Sequence, residues 1–200
     1  AWCNIGTALK NLGQADGAAE AFKQAISLSP EYADAHWNLA LLLLAQGHFT
    51  QGWEEYEWRR KIPSLRIRHQ KQTPWQGEDI KDKTVLVHAE QGLGDTFQFL
   101  RYLRPLKARG CRVVFECPPP LRKILGESLS IDALVSIGEE LPAYDVQVPL
   151  MSLPYLLNPE EMDFVTDAPW LTAPEERIQY WDKRLESCKG IAKASTLGSW

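Results

Sequence analysis

TVLVHAEQGLGDTFQFL occupies residues 84–100 and joins three patterns in one run. An apolar, β-branched segment (84–89) leads into a loop with two glycines (90–95), and Leu and Phe residues at helical spacing follow. This order predicts a strand, a phosphate-type glycine loop and a helix. Ligands of open α/β sheets bind outside the carboxyl ends of the strands, where this order places the carboxylate of Asp95. We therefore expect the functional site at this loop.

Further strands and helices alternate after this loop. The pattern predicts helices over 96–109 and 174–185 and a short helix over 121–127. It also predicts strands over 112–117, 133–137 and 146–150, and a loop over 159–173. Pro105 lies inside the first of these helices and predicts a bend, because proline cannot donate the hydrogen bond that a helix interior needs. Alternation with short connections predicts a parallel, doubly wound α/β sheet that is Rossmann-like.

Residues 1–62 repeat at a spacing of 34 residues. Residue types agree between the two copies at these pairs: Ala1 and Ala35, Asn4 and Asn38, Leu9 and Leu43, Gly13 and Gly47, Phe22 and Tyr56. Each copy predicts a helix, a turn at its glycine and a second helix, and Pro30 ends the first copy. An unrelated amphipathic helical hairpin is the alternative interpretation.

This pattern resembles the tetratricopeptide repeat, which has the same period. The first copy carries the family's residue types at these positions: Trp2, Ile5, Gly6, Ala18, Phe22, Ala25 and Pro30. The second copy departs from it, with His36 at the tryptophan position and Arg59 at a small-residue position. The resemblance implies helical pairs that bind peptides or partner proteins on a concave face. Because about three units are usually needed for stability, we expect further repeats before Ala1 or a cap from the domain behind.

Net charge and composition exclude several classes of protein. A formal net charge of -4 and a pI of about 5.6 argue against nucleic-acid binding. No run of about 18 apolar residues is present, so we expect no membrane span. The four cysteines form no CxxC pair and no zinc-ligand spacing with histidine, which is typical of reduced thiols in a cytoplasmic protein. No signal peptide opens the chain, but it lacks an initial Met, so a lost targeting segment stays open.

A basic run follows the repeats. Its members are Arg59, Arg60, Lys61, Arg66, Arg68 and Lys71. One interpretation is a solvated helix end, since cations favour the negative end of the helix dipole, and the other is an anion-facing edge near an active site. The expected domains are tetratricopeptide repeats over 1–62, a linker over 63–83, a Rossmann-like domain over 84–173, and a helix with an unassigned tail over 174–200.

The glycine loop matches no nucleotide-binding motif in full. No Lys-Ser/Thr pair follows the glycines, which excludes a Walker A loop. A dinucleotide fingerprint needs a third glycine where Phe97 stands, and Asp95 places an anion where a pyrophosphate would meet the helix N-terminus. Tight NAD binding is therefore not expected.

Asp95 has two compatible interpretations. In the first, it is the N-cap of the helix over 96–109 and stabilises that helix by about 0.5–2 kcal/mol. In the second, its carboxylate orients or deprotonates a hydroxyl group. Nearby, His88 is interpreted as a packed strand residue rather than a substrate contact. Glu90 is a second carboxylate that could pair with Asp95, and Glu116 suits a ribose-binding acid by position alone.

Residues 84–160 resemble the N-terminal Rossmann-like domain of the heptosyltransferase-like glycosyltransferases, which have the two-domain GT-B architecture. The resemblance rests on the strand, the loop QGLGD (91–95), the aromatic and Leu-rich helix, and GCRVVFE (110–116). The segment GWEEYEWR (52–59) is similar to the last repeat of bacterial proteins that fuse tetratricopeptide repeats to such a domain.

The resemblance implies transfer of a sugar from a nucleotide donor to a hydroxyl acceptor, with inversion and without a metal or cofactor. Asp95 takes the place of the general base in this family. Gln91, Gly92, Leu93 and Gly94 would line the substrate cleft, where glycine lets the backbone come close to a ligand. The acceptor would be a protein or a glycan held by the repeats.

The chain departs from the family in one respect. The family binds its nucleotide sugar mainly in a second Rossmann domain, and residues 190–200 lack the apolar strand expected at its start. We therefore expect a fragment with an acceptor half and no donor half, inactive alone. The alternative is a non-catalytic protein–protein interaction module built on the repeats.

Overall fold

The computed structural model describes residues 1–65, 67–69, 71–126, 131–157, 173 and 175–186. Its first part consists of α1 (Trp2–Asn11), α2 (Ala15–Leu28), α3 (Ala33–Ala45) and α4 (Phe49–Tyr56), followed by 3-10 turns at Glu57–Lys61 and Pro63–Leu65. Its α/β part consists of β1 (Thr84–His88), α5 (Leu93–Phe99), a 3-10 turn (Leu100–Tyr102), α6 (Leu103–Lys107), β2 (Arg112–Cys117), α7 (Pro119–Leu125), β3 (Ala133–Ser136), β4 (Val146–Pro149), a 3-10 turn (Leu150–Ser152), α8 (Leu153–Leu156) and α9 (Glu175–Glu186).

The two helical pairs follow the predicted repeat. Gly13 and Gly47, between the helices of each pair, have φ angles of +74° and +82°. Glycine adopts this left-handed conformation without the steric cost that a side chain would add, which explains its place at both turns. The predicted turns are confirmed.

Gly6 lets α1 and α2 approach closely. A Cβ at this position would lie 2.6 Å from Cε1 of Phe22, whose ring is fully buried. Gly52 has the same role between α3 and α4, where a Cβ would lie 2.7 Å from Cδ2 of Leu44. Because protein interiors are close-packed, these small residues are required by the helix packing of each pair.

The four strands form one parallel sheet in the order β3-β2-β1-β4. Strand β1 pairs with β2 on one side and with β4 on the other, so that Leu86 lies opposite both Val114 and Gln147. The chain adds β2 and β3 in one direction and then returns to the other side of β1. The carboxyl ends of β1 and β4 therefore flank the switch point of the sheet, where ligands of such sheets bind. The predicted parallel α/β sheet is confirmed.

The helix predicted over 96–109 differs from the observed one at its start and in its interior. It begins at Leu93, three residues earlier, and it divides into α5, the 3-10 turn and α6. Pro105 lies in α6 and cannot donate to the carbonyl of Arg101, with which its ring also clashes in a regular helix. The irregularity therefore lies one turn before the proline, at Leu100–Tyr102.

One hydrophobic core joins the repeats to the sheet. Ala40, Trp53 and Tyr56 of the repeats belong to the same buried cluster as Val87 of β1 and Phe99 of α5. Burial of apolar area stabilises such an interface by about 25 cal/mol per Å². The α/β part thus supplies the cap that the sequence suggested for the last repeat.

Part of the segment predicted as a linker is packed. Trp75 and Ile80 are 2% and 1% exposed. The backbone N–H of Trp75 donates to the carbonyl of Gln147 (2.9 Å), and Pro74 forms a parallel bridge with the same residue. The chain therefore runs along the outer edge of β4 before it enters β1.

Helix α9 confirms the helix predicted over 174–185, and its described side chains are exposed. Almost all of the predicted loop over 159–173 and the whole tail over 190–200 lie outside the described residues, as does Cys188. The expected lack of a donor half concerns the same segment and stays a prediction. Among the helices that the structure describes, none is long and apolar enough to cross a bilayer.

Candidate functional site at the carboxyl edge of the sheet

The glycine loop lies where the sequence places it, directly after β1. The strand ends at His88, and Gly92 is the N-cap of α5. The backbone of Gly92 is extended, with φ of -68° and ψ of 169°, and its carbonyl accepts the N–H of Thr96 (3.0 Å). The loop therefore adjoins the switch point between β1 and β4.

Asp95 is the third residue of α5 and not its N-cap. Its Oδ2 accepts the backbone N–H of Gly92 (3.0 Å), and the side chain is half-buried. The N-cap interpretation was wrong because Gly92 and Leu93 already adopt the geometry of a helix start. Asp95 nevertheless stabilises this start, since a carboxylate in the first turn favours the positive end of the helix.

The other predicted cleft residues, at 91–94, precede Asp95 in the same segment, and their glycines have no left-handed backbone. Gln91 donates from Nε2 to the hydroxyl oxygen of Tyr56 on α4 (3.1 Å), and Leu93 is exposed. Neither Gly92 nor Gly94 has a left-handed φ, and the position of a Cβ on Gly94 has open space around it. Their predicted role in binding a substrate stays a prediction.

Arg59 lies at this edge although it is not among the predicted site residues; the sequence placed it only in the basic run. Its side chain is fully buried and donates to both carboxylate oxygens of Glu90, from Nε to Oε2 (3.0 Å) and from Nη2 to Oε1 (2.8 Å). Its Nη1 donates to Oε1 of Glu57 (2.6 Å). Such a bidentate, fully hydrogen-bonded arrangement is the one in which a buried guanidinium is tolerated. The interpretation of Arg59 as a solvated helix end was therefore wrong.

The same network connects the loops that follow β1 and β4. Nη2 of Arg59 also donates to Oγ of Ser152 (2.8 Å), and that hydroxyl donates to Oε2 of Glu57 (3.0 Å). The backbone N–H of Met151 donates to Oε1 of Glu90 (3.0 Å). The partner of Glu90 is thus Arg59 rather than Asp95. A side chain of the repeats holds both sides of the switch point together.

Burial and the charges of this network shift the pKa values of Tyr56 and Arg59. Burial alone lowers the pKa of Arg59, but the carboxylates of Glu90 and Glu57 outweigh it and hold the pKa above its ordinary value. Burial raises the pKa of Tyr56 to about 12, against a lowering by Arg59. Tyr56 is therefore a neutral phenol, whose hydroxyl donates to Sδ of Met151 (3.8 Å) and accepts from Gln91.

A signal for Arg59 is present in the sequence. Arg59 aligns with Ala25 across the repeat spacing, and Ala25 is a buried position of the first repeat. A cation at a buried position needs a carboxylate partner, and in the structure this partner is Glu90. The departure from the repeat pattern thus marks the contact between the repeats and the sheet.

His88 and Glu116 lie on the neighbouring part of the edge and have partners within the chain. His88 is fully buried, its Nε2 lies 3.0 Å from Oε1 of Gln147, and burial lowers its pKa to about 3, so it is neutral and packed as predicted. Oε2 of Glu116 lies 2.8 Å from Nε2 of His69 and 3.1 Å from an Nη atom of Arg68. The carboxylate of Glu116 is thus paired within the chain, and its suggested role toward a ribose stays a prediction.

Arg68 extends the basic run onto the sheet. It also donates to the carbonyl of Ala89, the first residue after β1 (2.6 Å). Two members of the run, Arg59 and Arg68, therefore do face anions at the edge, and these anions are carboxylates of the chain itself. In the part of the chain that the structure describes, no group of three or more His, Cys, Asp and Glu residues is placed to hold a metal ion.

A family model and two proteins are similar to parts of this chain, and the family model covers the helical first part. Residues 1–47 match the family model of the TPR repeat. Protein FlbA of Caulobacter vibrioides is 28% identical over an alignment that covers 51% of this chain and 24% of that protein. A mutant O-GlcNAc transferase of Thermobaculum terrenum is similar in structure over 68% of this chain and 34% of that one, at 15% identity and a TM-score of 0.27. This chain thus spans about a quarter of the length of the first and a third of the second. The chain thus has a TPR-like helical N-terminus, matched to the family model over residues 1–47, and a parallel α/β sheet follows it.

Proposed function

We propose that the α/β part of this chain binds the acceptor in a glycosyltransferase that uses a nucleotide sugar, with Asp95 as the general base. One observation carries the proposal. Asp95 stands beside the switch point of a parallel sheet, half-buried, and among the described residues only its Oδ2 is engaged by a hydrogen bond, from Gly92. The resemblance of the loop to that of the heptosyltransferase-like enzymes supports the same role.

The proposed reaction is a direct displacement. The acceptor hydroxyl oxygen forms a bond to the anomeric carbon of the donor sugar while the bond from that carbon to the phosphate oxygen breaks. Asp95 takes the hydroxyl proton, the nucleotide leaves with the electron pair, and the anomeric centre is inverted. A positioned base of this kind contributes about 10²–10⁴-fold to the rate.

The surrounding residues suit this role. The N–H of Gly92 fixes one oxygen of the Asp95 carboxylate, and Gln91 is itself fixed by Tyr56. Arg59 and Glu90 hold the loop against the repeats. A protein or glycan bound by the repeats would therefore be kept at a constant distance from Asp95, which favours reaction through orientation.

The test compares Asp95→Asn with the unaltered full-length gene product. Release of nucleotide is measured for a panel of UDP-, GDP- and ADP-sugars with and without glycan acceptors. Because Asn also offers an oxygen to the N–H of Gly92, we expect normal folding and a loss of turnover of about 10²–10⁴-fold. Asp79→Asn is the matched control, since Asp79 also accepts a backbone N–H, that of Lys81. Undiminished turnover in Asp95→Asn would remove Asp95 from the mechanism.

A second candidate is a protein–protein interaction module without catalysis. The observation that favours it is the position of Arg59, whose guanidinium bridges the loops after β1 and β4, where a ligand of such a sheet usually binds. On this proposal the sheet is a cap for the repeats. A full-length product that neither binds nor turns over any nucleotide sugar of the panel, while it remains folded, would favour the module.

A further inference from the structure

A groove of about 460 Å³ lies in the repeats, away from the network at the sheet edge. Helix α3 forms its floor with Leu39 and Leu43, which are buried. The walls belong to α2 and α4, and their residues include Lys23, Ile26, Glu54 and Glu55. The volume lies within the range of about 300–1,000 Å³ that is typical of binding clefts. The groove thus has an apolar floor between two polar walls.

The two walls carry opposite charges. Lys23 of α2 and Glu54 of α4 are exposed, and neither forms an ion pair or hydrogen bond within the part of the chain that the structure describes. Glu55 is instead engaged by His36, whose Nδ1 lies 2.5 Å from its Oε2. The groove therefore presents a cation on one side of its floor and an anion on the other, and both are open to a partner.

Helix α9 carries an apolar stripe that no described part of its own chain covers. Ile178, Trp181 and Leu185 are separated by three and four residues, which places them on one face of the helix. Their side chains are 41%, 51% and 55% exposed, respectively. An exposed apolar face that is bordered by polar residues is typical of a contact surface.

The borders of this stripe also carry opposite charges. Arg177 lies one turn before Trp181, and Asp182 lies one turn after Ile178, so the two charges flank the stripe on opposite sides. Both side chains are exposed, and neither has an ion pair or hydrogen bond with another described residue. The face of α9 therefore repeats the pattern of the groove, with apolar residues in the middle and one charge of each sign beside them.

We propose that α9 of a second copy of this chain binds in the groove, with its apolar stripe on the floor between α2 and α4. In one direction of the helix, Asp182 meets Lys23 and Arg177 meets Glu54. In the opposite direction each of these charges meets a like charge, which disfavours that arrangement. Charge complementarity thus selects both the surface and the direction of the bound helix.

Each copy offers both surfaces, so the exchange is reciprocal. Helix α9 of one copy binds the groove of the other, and the second α9 closes a dimer with two-fold symmetry. Trp181 supplies most of the apolar area, and aromatic anchors of this kind dominate the free energy of such contacts. Because each contact uses one face of a 12-residue helix, we expect a weak dimer with a Kd on the order of 10–100 µM.

The test measures dimerisation of the full chain by sedimentation equilibrium. Lys23→Glu places an anion opposite Asp182 in both contacts of the dimer, so we expect the Kd to rise about tenfold. Asp182→Lys alone should have the same effect, and the two changes together should restore the original Kd within about threefold. Lys123→Glu on α7 makes the same change of charge on an exposed side chain outside the groove and is the matched control.

Trp181→Ala should have the largest effect, with a Kd raised at least about thirtyfold. Its circular dichroism should stay unchanged, because the side chain is exposed in the single chain. A dimer that tolerates this change would contradict the role of the stripe.

Three further results would overturn the proposal. The first is a chain that stays monomeric up to about 500 µM, above the expected Kd. The second is a dimer whose Kd is the same in Lys23→Glu as in Lys123→Glu. The third is a monomer in which Lys23→Glu accelerates tryptic cleavage within α9, because this helix would then bind the groove of its own chain.

Discussion

Glycine has different roles in the repeats and in the loop after β1. In the repeats, Gly6 has no room for a Cβ and Gly13 has a left-handed φ. In the loop, Gly92 has an ordinary extended backbone, and Gly94 has open space where a Cβ would stand. Packing and backbone geometry therefore account for the glycines of the repeats and do not account for Gly94. On the proposed function, Gly94 would let a substrate approach the backbone closely.

The largest expected effect comes from removing the buried ion pair that joins the repeats to the loop after β1. Arg59→Ala leaves the buried carboxylate of Glu90 without its partner, so we expect the free energy of unfolding to fall by about 3–5 kcal/mol. Urea unfolding followed by circular dichroism measures it. Lys61→Ala removes the exposed pair with Glu31 and is the control, with an expected loss of at most about 1 kcal/mol. Equal losses in the two variants would contradict the role assigned to Arg59.

Acid should destabilise the sheet before the repeats. The pKa of His88 is lowered to about 3 by burial, with His69 and Arg68 adding to the effect. Between this value and about 6.5 the unfolded chain binds a proton that the folded chain does not, so stability falls as the pH drops through this window. At pH 5 the His88 contribution to the loss is about 2 kcal/mol.

His88→Gln removes this titration and keeps a polar side chain. The difference in unfolding free energy between pH 7 and pH 5 should therefore shrink by about 2 kcal/mol relative to the unaltered chain. Hydrogen exchange at pH 5 should accelerate at the amides of β1 and not at those of α1 and α2. An unchanged pH dependence in the variant would show that His88 is not the group responsible.

Gly6→Ala tests the packing role of glycine in the repeats. The new Cβ would lie 2.6 Å from the buried ring of Phe22, which has no space to withdraw, so we expect a loss of about 1–3 kcal/mol. Thermal unfolding of the variant measures the loss. A variant as stable as the unaltered chain would mean that α1 and α2 adjust without cost.

Gly94→Ala is the matched substitution in the loop and should have the opposite sign. Alanine favours a helix over glycine by about 1 kcal/mol, and no atom obstructs the new Cβ, so we expect a gain of up to about 1 kcal/mol. If a substrate approaches the backbone here, turnover should fall in the same variant. Higher stability with unchanged turnover would leave Gly94 without a function.

The sequence predicts the fold through features that are local. The 34-residue spacing predicts both helical pairs, and RVVFEC at 112–117 predicts β2 to the residue. The helix start at Leu93 was missed because its N-cap is Gly92, which has no capping side chain, and the carboxylate of the first turn, Asp95, was interpreted as the N-cap itself. The bend at Leu100–Tyr102 was displaced from Pro105 because proline acts on the turn before it.

The site was predicted less well, because its contacts join residues far apart in the chain. The loop and Asp95 lie at the predicted edge of the sheet, since a strand followed by a glycine loop fixes that position locally. Arg59 and Glu90 are 31 residues apart, and no local pattern pairs them. The sequence indicated burial of Arg59 only because it aligns with Ala25, a buried position of the first repeat. Its partner, Glu90, was identified only from the structure.

The buried pair of Arg59 and Glu90 has a consequence for exchanging parts between proteins. Repeat arrays are often treated as interchangeable modules. A chimaera that replaces the residues after α4, Arg59 among them, would leave the carboxylate of Glu90 buried without its cation. Any chimaera must therefore carry Glu57 and Arg59 together with the sheet. The natural cutting point for such engineering lies before α4, inside the repeat array, and not at its end.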